Sequence, residues 1–208
     1  KRQYILIFDS CQSSEYILCA GICYHKTMSN VTFITGNQNK ADYLAKYLGM
    51  NIEHKKLDLD ELQSLDLRTI VEHKVRQAYD LIQSPVLVED VSLEFSALGR
   101  FPGPLIRYLL EEVDNATICR MLDGLSRDAI GRSMFGYYDG EEIVFFEGSI
   151  HGTIAERPAG EIGFGWDKIF IPEGYTVTRA ELGDEDYQKI YLKIRPFEVL
   201  KTFLKSDK

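Results

Sequence analysis

Thr35-Gly36-Asn37-Gln38-Asn39-Lys40 joins an apolar run, Val31 to Thr35, to a segment with helical spacing that starts near Ala41. A turn that opens a helix presents unpaired backbone N–H groups, and a lysine one turn in adds positive charge, so the segment has the parts of an anion site. Gly36 suits a tight turn. The segment lacks the longer glycine-rich span of a Walker loop, and a plain strand–turn–helix joint has the same pattern. Glu89-Asp90 closes the apolar run Val86-Leu87-Val88. Carboxylates at the end of a buried strand need a partner, and they can hold a hard divalent cation or accept a proton. A solvated strand terminus is the alternative. Glu61 sits in an acidic run with Asp58 and Asp60, which by itself reads as a solvated loop. Lys74 borders an apolar helical face, where its stem covers core or its ammonium reaches an anion. Arg107 follows the rigid turn Phe101-Pro102-Gly103-Pro104. Gly163-Phe164-Gly165-Trp166-Asp167 places the single tryptophan between glycines and an acid. A flat aromatic flanked by open backbone is a platform for stacking a base; a core aromatic in a tight bend is the commoner meaning.

The elements that must position these residues alternate strand and helix. Val31 to Thr35 reads as a buried strand, and Ala41, Leu44, Tyr47 and Leu48 recur at helical spacing before Gly49, a fitting helix stop. Asn51 to Leu57 reads as a weak strand. Val71, Val75, Ala78 and Ile82 mark one face of a second helix, and Val86 to Val88 a buried strand. Arg132 to Tyr138 and Ile143 to Phe146 flank Asp139-Gly140 as a hairpin, with Ser149 to Ala155 as a third strand of the meander. Pro196 opens a last helix with Phe197, Leu200, Phe203 and Leu204 inward. The expectation is an α/β fold: an elongated mixed sheet with flanking helices in two lobes.

Composition bounds what this fold does. Hydrophobic residues are 45% and charged residues 27% of the chain, which fits a globular domain and excludes a low-complexity tail. The net charge is -8, so nucleic acid is not an expected partner, although a few lysines and a cation can still form a local site for a phosphorylated small molecule. No apolar run is long enough to span a membrane. Three of the four cysteines, Cys11, Cys19 and Cys23, lie near the start, leaving Cys119 alone in the body, which fits a reducing, cytoplasmic compartment. Residues 1–27 read as an extension with no part in function, or as an extra strand on the sheet edge. Residues 28–208 are expected to form one domain.

Taken in order, TGNxxK, the acidic loop, VLVEDxSL, ALGxFPGPxI and RPxGxxGFGWDxIFxPxGxxxTxAE resemble the inosine triphosphate pyrophosphatase family. The resemblance runs from Val31 to Glu181 and more loosely to Leu204. It implies an active cleft between the two lobes. It also implies hydrolysis of ITP, dITP and XTP to the monophosphate and pyrophosphate with Mg²⁺, usually by a homodimer. By motif, Thr35, Gly36, Asn37, Lys40 and Lys74 would bind the triphosphate, with Arg107 where a lysine is usual. Glu61 and Asp90 would bind metal. Asp90 would also be the catalytic acid, with Glu89 beside it; spacing alone does not choose between the two as base. Phe164, Gly165, Trp166 and Asp167 would line the base pocket. Lys189 aligns with the lysine of the family's K-N-x-x-S-H-R segment, and Arg195 with its arginine.

The chain departs from the family where that segment ends. Lys193-Ile194-Arg195 replaces Ser-His-Arg, so Arg195 remains to meet the purine edge while Ile194 has no donor to offer. That implies a broader base preference. A pyrophosphatase for other nucleotides and a nucleotide-binding module without catalysis are the competing readings.

Overall fold

The computed structural model describes residues 4–8, 31–50 and 52–205. In chain order the elements are β1 (Tyr4–Phe8), β2 (Thr32–Ile34), α1 (Gln38–Leu48), β3 (Glu53–Lys55), α2 (Leu67–Ile82), β4 (Val86–Phe95), β5 (Pro102–Gly103), α3 (Ile106–Glu112), α4 (Asn115–Arg120), β6 (Asp128–Tyr138), β7 (Ile143–Ile154), β8 (Phe170–Pro172), α5 (Asp184–Ile194) and α6 (Phe197–Lys205). The eight strands form one mixed sheet with the order β1-β7-β6-β4-β2-β3; β5 pairs with β4 and β8 with β7.

Strand β2 lies between β3 and β4 and is parallel to both. The crossover helices α1 and α2 therefore cover opposite faces. Alternation along β4 shows this directly. Leu87 packs with Phe33, Leu44 and Leu48 under α1 and α6, whereas Val86 and Val88 pack with Val71, Val75 and Ala78 of α2. The inward residues of α2, Leu67, Ile70, Val71, Val75 and Ala78, follow the helical period, and each fully buried valine contributes about 1.5–3 kcal/mol.

Beyond Asp90, strands β4, β6 and β7 continue without β2 and β3 into a second lobe. There Leu93, Phe95, Ile118, Ile150 and Phe170 share a core with Tyr187 and Ile190 of α5. Because β2 ends at Ile34 opposite Val88, the next residues of β4, Glu89 and Asp90, stand where their neighbour strand stops. Ligands favour such a gap at the carboxyl ends of parallel strands, where successive crossovers diverge.

The strand expected over Ser149 to Ala155 is not separate: β7 runs unbroken from Ile143 to Ile154. Gly148 looks like a break in sequence but serves close approach. A Cβ there would lie 2.3 Å from the Ile194 carbonyl oxygen at the end of α5. The expected hairpin does form, with Asp139 Oδ1 accepting from the backbone N–H of Glu141 and Glu142. Tyr4–Phe8 pairs in parallel with Val144–Gly148 of β7 at the sheet edge farthest from β3. Residues 9–30, including Cys11, Cys19 and Cys23, lie outside the described residues.

Candidate active site

A cleft of about 980 Å³ opens where β2 ends, and Thr35, Gly36, Asn37, Lys40, Glu61, Lys74, Glu89, Asp90, Arg107, Phe164, Gly165, Trp166, Asp167 and Arg195 all line it. The loop before α1 is built by its own side chains. Thr35 Oγ1 accepts from Asn37 N at 3.1 Å, and Asn37 Oδ1 caps the helix by accepting from Lys40 N at 3.3 Å. Gly36 turns the chain without a left-handed backbone, and a Cβ there would meet only the Lys56 side chain, at 3.4 Å.

Adjacent residues in a strand point to opposite faces, and this separates Glu89 from Asp90. Glu89 turns toward α1 and the α5–α6 junction. Its Oε1 accepts from Arg195 Nε at 2.8 Å and from Ser133 Oγ at 2.9 Å, and Lys40 Nζ lies 3.5 Å from its Oε2. The Glu89 and Arg195 side chains are only 2% and 6% exposed. Burial pushes the Glu89 pKa up, but Arg195, Lys40 and the Ser133 hydroxyl outweigh it and hold the carboxyl below its usual range. Glu89 is thus a buried anion whose Oε1 accepts two hydrogen bonds while Oε2 faces the Lys40 ammonium.

Asp90 turns the other way, toward α2. Lys74 Nζ donates to Asp90 Oδ2 at 2.8 Å and lies 3.1 Å from Glu61 Oε2, so one ammonium joins two carboxylates from distant parts of the chain. Burial alone would lower the Lys74 pKa; Asp90 and Glu61 reverse this and raise it. Asp90 Oδ1 meets only the backbone N–H of Val91 among its described hydrogen bonds, and Glu61 is half-exposed. Arg107 sits at the rim, bonded to Glu111 at 2.8 Å, with its Nη1 4.0 Å from Glu61.

The aromatic end lies in the second lobe. Trp166 stands edge-on to Phe170 at 5.2 Å, and its ring lies against Gly131, where a Cβ would come within 3.1 Å. Phe164 is exposed beside it. Asp167 is buried, and its oxygens are taken by Phe164 N–H, Arg179 Nη1 and the Tyr187 hydroxyl at 2.9, 2.7 and 2.9 Å. It positions this end of the cleft.

Residues 31–203 match the Ham1 family. The chain belongs to this family. An inosine triphosphate pyrophosphatase 2 from Trypanosoma cruzi is 40% identical over 176 residues, covering 82% of this chain and 90% of that protein. A dITP/XTP pyrophosphatase from Methanopyrus kandleri is 40% identical over 183 residues, covering 85% and 97%. Among solved structures, a nucleoside-triphosphatase / dITP/XTP pyrophosphatase from Mycobacterium abscessus superposes with a TM-score of 0.71 at 25% identity, covering 82% of this chain and 98% of that one. A HAM1 protein from Coxiella burnetii superposes at 0.73 with 23% identity, covering 84% and 98%.

In this Ham1-family chain one expected site residue is out of place. Lys189 is exposed and does not line the cleft. Helix α5 buries Tyr187, Ile190, Tyr191 and Ile194, and at about 100° per residue Lys189 falls roughly 200° around from Tyr187, on the outer face. The inward positions Tyr187 and Tyr191 lead to Arg195, whose guanidinium stacks 4.0 Å above the Tyr191 ring. Sequence reasoning missed these two tyrosines, although their spacing of eight and four residues from Arg195 was visible. It also missed Ser133, Lys56 at the cleft wall, and Arg179, which occupies the variable position of TxAE.

The residues fit Mg²⁺. Among the described residues no group of three or more acids, histidines or cysteines forms a complete metal cage. Mg²⁺ commonly uses one or two carboxylates and completes its shell with water and substrate phosphate. Asp90 and Glu61 supply such a pair, and the Lys74 ammonium between them marks a place for positive charge.

Proposed function

We propose that this chain hydrolyses non-canonical purine nucleoside triphosphates (ITP, dITP and XTP) to the monophosphate and pyrophosphate. The observation that carries the reading is the convergence of Asp90 and Glu61 on one ammonium, beside the amino-terminal end of α1 in the same cleft. The printed names of the Trypanosoma and Methanopyrus relatives support the same substrates.

In this reading the triphosphate lies between the α1 end and α2, with its base toward Phe164 and Trp166. Lys40, Lys74 and Arg107 face the phosphate oxygens and offset their charge. Asp90 orients a water molecule and takes its proton as the oxygen attacks the α-phosphorus. The bond from that phosphorus to the bridging oxygen breaks, and pyrophosphate leaves. Glu89, locked by Arg195 and Ser133, holds Lys40 in place and does not serve as the base. Asp90 and Glu61 would hold Mg²⁺, which would supply further shielding of the phosphate oxygens.

A second reading, broader base preference, is favoured by Ile194, which is buried in the second-lobe core and turns no donor toward a base. The enzymatic unit is residues 28–208. Strand β1 lies at the sheet edge, separated from β4 by β7 and β6, so deleting residues 1–27 is expected to leave turnover unchanged. The family resemblance supports a homodimer, which light scattering of the purified chain checks. Among the described residues no helix is long and apolar enough to cross a membrane. The test of the main reading is pyrophosphate release from ITP, dITP, XTP and the standard triphosphates. The 6-oxopurine nucleotides are expected to lead; release from pyrimidine nucleotides alone would replace this substrate class, and no release from any would leave a binding module.

A further inference from the structure

Arg179 is a buried cation with a hydrogen-bonding edge that no described residue fills. Its side chain is 3% exposed and lines the cleft. Nη1 is held by Asp167 Oδ1 at 2.7 Å, but Nε and Nη2 have no partner among the described residues. A buried guanidinium normally satisfies its donors, because each unmet N–H carries its full desolvation cost. The two unmet donors also form one geometric unit. Nε–H and the neighbouring Nη2–H point the same way and make the side fork of the guanidinium, which binds two adjacent acceptors at once.

The surroundings fix where this fork sits. The guanidinium carbon lies 4.4 Å from the Tyr187 ring centre, 5.5 Å from Tyr191 and 6.0 Å from Trp166, so three rings crowd a residue that lines the cleft and whose Nε and Nη2 are buried without a partner among the described residues. The backbone is locked as well. Thr178 N–H donates to Glu181 Oε2, the Thr178 hydroxyl lies 2.9 Å from both Glu181 Oε2 and the Ala159 carbonyl and shares its one hydrogen between them, and a Cβ on Gly160 would meet the Ala180 backbone at 2.3 Å. The Thr, Ala and Glu of TxAE therefore build a rigid three-residue turn. The variable position of that motif is the one delivered to the cleft.

We propose that Arg179 is a specificity-determining residue that reads the O6 and N7 acceptors of a 6-oxopurine base with its Nε–H and Nη2–H fork. This rests on the nucleotide reading above. The two acceptors of that edge suit an arginine fork, the same pairing by which arginine recognises guanine in the major groove. Adenine presents an amino donor in place of O6 and leaves one arm of the fork unmet. Arg195 is less suited to this task because its Nε is already bound to Glu89. The fork senses position 6 and not position 2, so it separates ITP, XTP and GTP from ATP without separating the first three from one another.

The experiment is titration calorimetry of IMP, GMP and AMP, with kcat/KM for ITP, GTP and ATP alongside, in the full chain and in Arg179→Lys and Arg179→Gln. Lysine keeps the charge beside Asp167 and removes the fork. Arg179→Lys is expected to cut the IMP-to-AMP and ITP-to-ATP ratios about tenfold or more, with GMP and GTP falling alongside IMP and ITP. Equal weakening of IMP and AMP would make Arg179 a phosphate contact or a structural ion and overturn the proposal. Wild-type binding of IMP no tighter than that of purine riboside monophosphate, which lacks O6, would overturn it too, even if neither variant folds. Base-selective monophosphate binding that depends on Arg179, without cleavage of any triphosphate, would retain the proposal and reject the pyrophosphatase reading.

Discussion

The two faces of β4 carry consecutive acids with opposite designs. On one face Glu89 is enclosed, with Arg195, Ser133 and Lys40 meeting its oxygens in a nearly dry setting. On the other, Asp90 and Lys74 are each 17% exposed, and the third member, Glu61, comes from a half-open loop. A carboxylate surrounded by fixed donors is a structural anion, while one that shares a single ammonium with a second carboxylate can hold a cation or orient a water molecule. The pleat of the strand alone puts two neighbouring residues of the same charge in different settings.

The sharpest way to break this comparison is to neutralise each acid's side in turn. Asp90→Asn should lower kcat/KM by about two to four orders of magnitude, the usual contribution of a general base, with the melting temperature little changed. A variant that keeps more than about a tenth of wild-type turnover would remove Asp90 from the chemistry. Arg195→Met should act on the fold instead, because it strands Glu89 as a buried charge; urea unfolding is expected to show a loss of about 3–5 kcal/mol. Unchanged stability in that variant would mean that the Glu89 face is not a closed ion cluster.

A smaller effect tests how the faces cooperate. Lys40 reaches from the cleft to Glu89, so Lys40→Ala should weaken triphosphate binding more than monophosphate binding, by about 1.5–3 kcal/mol in calorimetry. Equal losses would place Lys40 outside the triphosphate path.

The smallest effect is a pH dependence. The Glu89 pKa is lowered by folding, so its stabilisation is complete above the unfolded value of about 4.3 and fades as pH falls through the folded value. The Lys74 pKa is raised, so its stabilisation is complete below about 10.4 and fades only as pH rises through the folded value. Thermal melts of wild type and Glu89→Gln should keep a constant gap from neutral pH to about 5 and converge at lower pH. A gap that narrows between neutral pH and about 6 would point to a histidine instead.

Much of the phosphate end was legible in sequence because it depends on local pattern. A short apolar run, a glycine and a helix start place Thr35 to Lys40 together, and the alternation of Val86 to Asp90 already implies that Glu89 and Asp90 diverge. The approach of Glu61 to Lys74 is a long-range contact that only the motif order suggested. The base end was less legible because its contacts depend on helix phase and on distant turns. Lys189 aligned by motif but faces outward, since the burial of Tyr187, Ile190, Tyr191 and Ile194 sets the rotation of α5. Arg179 held a variable position in a recognisable motif, and nothing local showed that Asp167 and three rings surround it. Gly148 hid the continuity of β7 because glycine is the same letter whether it breaks a strand or lets a helix end approach one.

The most direct test of the division between the two faces, and of the chemistry assigned to Asp90, is ³¹P NMR of ITP turnover with Mg²⁺ by the wild-type chain, Asp90→Asn and Glu89→Gln. The account predicts IMP and pyrophosphate as the products, loss of both in Asp90→Asn, and the same products from whatever fraction of Glu89→Gln remains folded. Formation of IDP and orthophosphate, or full activity in Asp90→Asn beside an inactive but folded Glu89→Gln, would contradict it.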